Sequence, residues 1–443
     1  MSLKFGTDGV RGRAFVDLRP EWVTNLAISA SGVLQSDTVV IGSDGRASGK
    51  DFVNALRTGF DSKGLSVWYM GTVPTPALAH AAATHGIAAA MVSASHNRSQ
   101  DNGIKLLSAG GKKLTDHAQR EIEAILESDD FPNLTQASDY VEPSHSYLAN
   151  DWVSTLQESI KDRSLSGITL VVDCANGAAS AFAAHTLREL GARVASIHDV
   201  PDGNNINEDC GSTNLASLQT AVRDNNADLG LAFDGDADRV LAVDQQGRVI
   251  DGDFMIAICA EDLKSREALN GNTAVVTVMT NLGFHLAMKE KQIHVHQTPV
   301  GDRQVLAALE ENDWSLGGEQ SGHIIFSDLS TTGDGLLTGI QLLDIISRSN
   351  KPLDELADSA MVRYPQVLKQ VNLSTTTVDI ESSLIEDIAN AEIELGDSGR
   401  VLVRRSGTEP VLRIMVESLK DEIAESTANK LVLAAESYLG ASE

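Results

Sequence analysis

Apolar runs that stop abruptly at small or polar residues alternate along this chain with stretches of helical period. Three runs are built alike, namely Thr38-Val-Val-Ile-Gly-Ser-Asp44, Ile168-Thr-Leu-Val-Val-Asp-Cys-Ala-Asn-Gly177 and Ala274-Val-Val-Thr-Val-Met-Thr-Asn-Leu-Gly283. Each reads as a buried strand of a parallel sheet that opens into a loop at its C-terminal end. Helical patterns follow, as at Lys50 to Gly64 and Ala178 to Leu190, and this alternation implies α/β layers. The recurrence at domain-sized intervals suggests three related α/β units. From about Gln366 the texture changes. Ile380 to Ala391 has a helical pattern, Arg400 to Arg404 and Val411 to Glu417 read as strands, and Lys420 to Leu439 has a long amphipathic period. The expected fold class is α/β, three related α/β domains plus a smaller C-terminal α+β domain. The expected boundaries are 1–150, 151–250, 251–365 and 366–443.

The turns carry the chemistry. Phe233-Asp-Gly-Asp-Ala-Asp-Arg239 follows the apolar run Leu229 to Phe233 and precedes Val240 to Val243, so it is a tight loop at a strand end. Carboxylates at i, i+2 and i+4 of a turning backbone converge, and such a cluster calls for a neutralising cation. Oxygen-only donors select Mg²⁺ or Ca²⁺ over zinc. An EF-hand needs Gly at loop position 6 and Glu at position 12, where this loop has Arg239 and Gln245. A second turn, Ser93-Ala-Ser-His-Asn97, follows the apolar run Ile87 to Val92 and puts Ser95 at a strand end, with Lys105 near in sequence to balance an anion. This is a candidate nucleophile loop, but no GxSxG elbow surrounds it. A third, Gly317-Gly-Glu-Gln-Ser-Gly-His323, offers a carboxylate, a hydroxyl and an imidazole to a polyol. A fourth, Arg404-Arg-Ser-Gly-Thr-Glu-Pro410 with Arg413 close behind, holds the parts of a phosphate cradle. Neither it nor Ser108 to Lys112 has Walker A spacing.

Charge narrows the partners. The 443 residues carry 35 Lys and Arg against 62 Asp and Glu, a net charge of −27, which disfavours a nucleic-acid partner without a local basic stripe. No such run of Lys and Arg occurs. The N-terminus lacks the apolar segment of a secretory signal, and the longest apolar stretch, Gly86 to Ala94, is far short of the roughly 20 residues that span a bilayer. The expectation is a soluble cytoplasmic protein without a membrane partner. Cys174, Cys210 and Cys259 are odd in number and lack CxxC spacing, which speaks against disulfides and a Cys-type zinc site.

Taken together, with Phe5-Gly-Thr-Asp-Gly-Val-Arg-Gly12 at the start, the four turns resemble those of the α-D-phosphohexomutase family over essentially the whole chain. The resemblance implies mixed sheets and a heart-shaped arrangement of four domains around a central cleft. It implies that Ser95 carries a phosphoryl group and, with Asp234, Asp236 and Asp238, holds Mg²⁺. It further implies that Glu319 and Ser321 bind sugar hydroxyls, and that Arg404, Ser406, Gly407 and Thr408, with Arg413 beside them, grip the substrate's existing phosphate. Acid/base or transition-state roles fall to Arg11, Lys105 and His323. Asn205 to Thr213, Thr298 to Arg303 and Thr331 to Gly335 look like the hexosamine branch, and Gln320 stands where glucose- and mannose-directed relatives typically carry Met. A polar Gln320 suits a 2-amino group better than a thioether does.

The expected reaction is interconversion of glucosamine 6-phosphate and glucosamine 1-phosphate through a phosphoserine enzyme and a 1,6-bisphosphate, feeding UDP-N-acetylglucosamine synthesis. Alternatives are a phosphoglucomutase/phosphomannomutase of the same family, a Mg²⁺-dependent sugar phosphatase and a catalytically silent sugar-phosphate sensor. A homodimer is one assembly left open. Three positions depart from the family pattern. Arg98 replaces the usual Pro after the serine loop, Arg405 stands where Pro or Lys is common, and the usual GRDTR reads Gly42-Ser-Asp-Gly-Arg46, which puts in doubt any role for Ser43.

Overall fold

The computed structural model describes residues 3–6, 8–128, 131–132, 134, 142–373, 380–406 and 410–440. The chain forms two compact units, one of residues 1–279 and 293–360, the other of residues 280–292 and 361–443.

The first unit contains three sheets built on one plan. In the first, β1 (Val10–Arg13), β2 (Thr38–Ser43), β3 (Ser66–Thr72), β4 (Ala88–Val92), β5 (Asp101–Ser108) and β6 (Lys112–Lys113) run in the order β1-β5-β4-β2-β3, with β6 on β5. In the second, β7 (Thr169–Asp173), β8 (Arg193–Ile197), β9 (Leu229–Phe233), β10 (Val240–Asp244) and β11 (Val249–Ile250) run β11-β10-β9-β7-β8. The third orders β12 (Thr273–Thr277), β13 (His294–Thr298), β14 (Leu316–Gly318) and β15 (Ile324–Phe326) as β13-β12-β14-β15. Each repeats one motif. Three parallel strands, β3-β2-β4, β8-β7-β9 and β13-β12-β14, are extended by an antiparallel fourth, β5, β10 or β15. The three apolar runs are the opening strand of each motif, so the repeat inferred from their likeness is real and the sheets are mixed.

Burial explains the run composition. Ala88 to Val92 lies between β2 and β5 and is buried throughout, which requires apolar residues on both faces. The helix Gly49–Ser62 buries Phe52, Val53, Leu56 and Phe60, each such side chain contributing about 1.5–3 kcal/mol. The expected helix Ala178 to Leu190 is divided into a 3₁₀ turn, Ala178–Ala181, and a helix, Ala183–Glu189. Its first turn is tied elsewhere, since Ala178 N–H donates to the carbonyl of Gly235 at 2.8 Å.

In the second unit, β16 (Gln366–Asn372), β17 (Gly399–Arg405) and β18 (Val411–Ser418) form an antiparallel sheet in the order β16-β18-β17. The helix Asp421–Gly440 follows, and its Ala424, Ala428, Leu431 and Ala435 share a buried cluster with Leu412, Ile414 and Val416. The helix Leu282–Glu290 also belongs to this unit.

Candidate active site

The turn between the third and fourth strands of each motif is the feature the three sheets share, and these turns hold Ser95, the Asp234–Asp238 trio and the Glu319–His323 segment. The first two meet. Ser95 Oγ–H donates to Asp234 Oδ2 at 2.6 Å, and Ser95 is fully buried with φ +52°. A left-handed backbone at a residue with a Cβ costs roughly 1–2 kcal/mol, and such strain persists where surrounding contacts fix it. Glycine permits the close approach: a Cβ on Gly235 would lie 2.7 Å from the Ser95 carbonyl oxygen.

Asp234, Asp236 and Asp238 are buried, with carboxylate oxygens within 4.8 Å of one another. Asp236 Oδ2 accepts from Thr75 Oγ1 at 2.5 Å and lies 2.7 Å from Lys105 Nζ, which is also 2.9 Å from Asp238 Oδ2 and 2.6 Å from Asp8 Oδ2. Thr75 opens the helix Thr75–His85, whose N-terminal dipole favours this negative charge. The oxygens Asp236 Oδ1 and Asp238 Oδ1 are buried without a hydrogen-bond partner among the described residues. Burial, then the charges of Asp238 and Asp236, push the Asp234 carboxyl up to about 8. Three buried carboxylates, two of them with an orphaned oxygen, form a donor set suited to a hard divalent cation.

The groups around the trio are set by its charge. Burial alone would lower the Lys105 ammonium's pKa, but Asp236, Asp238 and Asp8 raise it well above its ordinary value. Lys105 is therefore a fixed cation. Asp8 is opposed by its own burial, yet Lys105 and Lys113 hold it well below the usual carboxylate range. Arg11 reaches Asp8 at 3.0 Å, Lys113 Nζ lies 3.1 Å from it, and Lys113 pairs with Asp302 as well. His323 Nδ1 lies 3.6 Å from Asp238 Oδ1 and Nε2 is 3.7 Å from Asp302 Oδ2, while Gly333 N–H donates to Nε2 at 3.2 Å. Against burial, Asp238 and Asp302 raise the imidazole above its ordinary value. Burial, then Arg239 and Arg11, lower His96 to about 4, so the ring whose Nδ1 is 3.4 Å from Ser95 Oγ is neutral at pH 7.

The remaining sequence candidates fall into two groups. Glu319 Oε1 accepts from Gly301 N–H at 3.1 Å, and Ser321 Oγ is buried without a partner among the described residues. Gln320 donates through Nε2 to buried Asp253 at 3.3 Å. In the second unit, Arg404 and Arg413 face each other across β17 and β18. Ser406 N–H donates to the carbonyl of Val411 at 2.9 Å. Gly407 and Thr408 lie outside the described residues.

A second acidic group, Asp173 with His198 and Cys210, has a different character. Asp173 Oδ1 accepts from Ala175 N–H at 2.9 Å, Oδ2 accepts from Gly211 N–H at 3.0 Å, and His198 Nδ1 lies 3.1 Å away. This carboxylate ties loops together. All three cysteines are free and buried.

Four sequence profiles match in order: phosphoglucomutase/phosphomannomutase alpha/beta/alpha domain I over residues 2–133, domain II over 147–247, domain III over 251–364, and the C-terminal domain over 353–434. A phosphoglucosamine mutase of Shouchella clausii is 44% identical, covering 100% of both chains, and one of Thermobifida fusca is 47% identical, covering 97% of both. The chain belongs to the phosphoglucosamine mutase family. A phosphoglucomutase/phosphomannomutase family protein of Burkholderia thailandensis superposes with a TM-score of 0.80 at 26% identity over 97% of each chain. An N-acetylphosphoglucosamine mutase of Aspergillus fumigatus, solved with GlcNAc-6P and magnesium, shares the fold at a TM-score of 0.66 and 17% identity, over 98% of this chain and 95% of that one. Within the phosphoglucosamine mutase frame, Asp8, Lys113, Asp302, Thr75, Arg46 and Asn207 join the site by geometry alone. Signals for several of them existed, since Asp8, Asp302 and Asn207 stand inside the segments Phe5–Gly12, Thr298–Arg303 and Asn205–Thr213.

Proposed function

We propose that the protein interconverts glucosamine 6-phosphate and glucosamine 1-phosphate, with Ser95 as the phosphoryl carrier. The observation that carries this reading is the placement of Ser95 Oγ 2.6 Å from Asp234, one carboxylate of a buried trio suited to a cation. Asp234, Asp236 and Asp238, with the phosphorylated Ser95, would hold Mg²⁺, which when bound neutralises charge on the transferring phosphoryl group.

The chain's own residues supply the rest. Phospho-Ser95 passes its phosphoryl group to O1 of glucosamine 6-phosphate: the Oγ–P bond breaks, the O1–P bond forms, and the O1 proton leaves to a base. The resulting 1,6-bisphosphate turns over and returns its 6-phosphoryl group to Ser95, leaving glucosamine 1-phosphate. Phosphoserine and a sugar 6-phosphate are both alkyl phosphate monoesters, so the exchange is nearly thermoneutral. Lys105, a fixed cation, supports transfer by charge, and Arg11 holds Asp8. Of the sequence candidates, His323 carries an imidazole, the side chain suited to take and return a proton, which favours it for the proton. Glu319 and Ser321 would take sugar hydroxyls, Ser321 through a hydroxyl without a partner among the described residues. Arg404 and Arg413, with Ser406, Gly407 and Thr408, would bind the resident phosphate. We assign the phosphoserine, metal, sugar and phosphate roles to segments 1–150, 151–250, 251–365 and 366–443 in that order, and place the reaction in the cytoplasm.

A coupled assay with Mg²⁺ and a trace of 1,6-bisphosphate tests the reading on the 6-phosphates of glucosamine, glucose and mannose. Glucosamine 6-phosphate should react fastest without release of free phosphate. Equal or better turnover of the mannose compound would move the protein to the phosphoglucomutase/phosphomannomutase branch, and phosphate released in step with substrate loss would make it a phosphatase.

A further inference from the structure

The backbone behind Ser95 is held by two side chains that take no part in the chemistry above. The Ser95 carbonyl oxygen accepts from Arg46 Nη2 at 2.8 Å and from Asn207 Nδ2 at 2.8 Å. Arg46 is buried and spends its other donors on the same turn: Nη1 reaches the carbonyls of Arg98 at 2.6 Å and Asp101 at 3.0 Å. Its Nε pairs with Asp44 Oδ2 at 2.8 Å, so the guanidinium is charge-compensated and oriented. Asn207 Nδ2 also donates to the carbonyl of Asn97 at 2.9 Å, and its own N–H donates to the carbonyl of Ala175 at 2.9 Å. From within the turn, Ser93 Oγ accepts the Ser95 N–H at 2.8 Å.

We infer that Arg46 and Asn207 are positioning residues that clamp Ser95 in its left-handed backbone conformation and thereby aim Oγ at the Asp234 carboxylate. The inference rests on Ser95 being the phosphoryl carrier. The geometry favours it for three reasons. A non-glycine residue at φ +52° needs external contacts to stay there. The carbonyl that takes two side-chain donors belongs to the residue whose side chain must be placed. Asn207 comes from the second motif, on the chain that follows β8, whereas Arg46 and Ser95 belong to the first. One turn is therefore fixed to both halves of the site it serves, and the Asn205–Thr213 segment gains a physical task.

The test uses full-length protein with Asn207→Asp, Asn207→Ala and Arg46→Lys beside Ser95→Ala. Asn207→Asp keeps the shape but loses both donors, so a packing role would survive it and a clamping role would not. Arg46→Lys keeps the charge facing Asp44 but cannot reach three carbonyls at once. A misplaced nucleophile costs about 10- to 100-fold, so kcat should fall by that factor in all three while KM for glucosamine 6-phosphate stays within about twofold. A kcat within about twofold of wild type in Asn207→Asp or Arg46→Lys, with Ser95→Ala inactive, would overturn the clamp alone. Substantial turnover by Ser95→Ala would instead overturn the assignment of Ser95, and the clamp with it.

Discussion

Two acidic centres of this protein, a trio of aspartates and a single glutamate, are equally buried and differ in how their oxygens are used. Around Asp234, Asp236 and Asp238, two oxygens are buried without a hydrogen-bond partner among the described residues, Lys105 is shared with Asp8, and Arg239 Nε stands 3.8 Å from Asp238 Oδ1. In the second unit, Glu417 is fully buried and its oxygens are saturated. Oε1 accepts from Asn281 Nδ2 at 3.0 Å and Gln366 Nε2 at 3.1 Å, and Oε2 accepts from Leu282 N–H at 3.1 Å and Arg400 Nε at 2.9 Å. A buried charge is tolerated where it is paired and hydrogen-bonded. Glu417 is therefore complete as it stands, and the trio is complete only with something more. Burial, which the two centres share, does not reveal this difference; it lies in the unmatched oxygens.

The sharpest way to break the comparison is Asp234→Asn. If the trio exists to hold a cation, turnover should drop by about 10²- to 10³-fold, the scale expected for losing one group that stabilises transition-state charge. The metal-free protein should become more stable at pH 8, because one member of a repelling set is gone. An active variant, or a metal-free variant less stable than wild type, would mean that Asp234 is structural after all.

A smaller effect follows from titration. The Asp234 carboxyl is raised from an ordinary 3.8 to about 8, so between those values the folded state binds more protons than the unfolded state, and stability falls as pH rises. The metal-free protein should lose a few kcal/mol between pH 5 and pH 8, at about 1.4 kcal/mol per pKa unit. Mg²⁺ should recover that loss by binding the folded state only. Thermal midpoints measured across this range, with and without Mg²⁺, check both halves. A midpoint that is flat in pH without metal, or insensitive to Mg²⁺ at pH 8, contradicts the account.

How much of the molecule is legible in its sequence depends on how local each feature is. The trio announces itself because i, i+2 and i+4 in a tight turn converge whatever the rest of the chain does, and the three strand openings are visible because burial on both faces demands continuous apolar residues. Arg46 and Asn207 are invisible as a pair, since they stand 161 positions apart in different motifs and only the packing of one turn on the other unites them. Asp302 and Lys113 join through the third motif for the same reason. The strands β13 and β16 leave little trace because both are half-exposed edge strands, His294-Val-His-Gln-Thr298 and Gln366-Val-Leu-Lys-Gln-Val-Asn372, where polar residues mask the pattern. The segment 280–292 reads as a continuation of its apolar run, yet its Asn281 and Leu282 are bonded to Glu417, far along the chain.

That bonding supplies the smallest and most discriminating test. Glu417→Gln preserves volume and keeps one carbonyl oxygen, but the amide nitrogen that replaces the other oxygen confronts donors from Leu282 or Asn281. At least one buried donor is left unmatched, at a cost of about 1–3 kcal/mol, and Arg400 loses its counter-charge while keeping its bond to the Thr280 carbonyl at 2.8 Å. The loss should be local. Amide exchange should accelerate in the helix Leu282–Glu290 and along β18, while the Mg²⁺-dependent rise in thermal midpoint stays as in wild type, because no oxygen of Glu417 awaits a cation. If Glu417→Gln instead abolished the Mg²⁺ response and left exchange in that helix unchanged, saturation of the oxygens would not separate a structural carboxylate from a metal-binding one, and the contrast between the two acidic centres would fail.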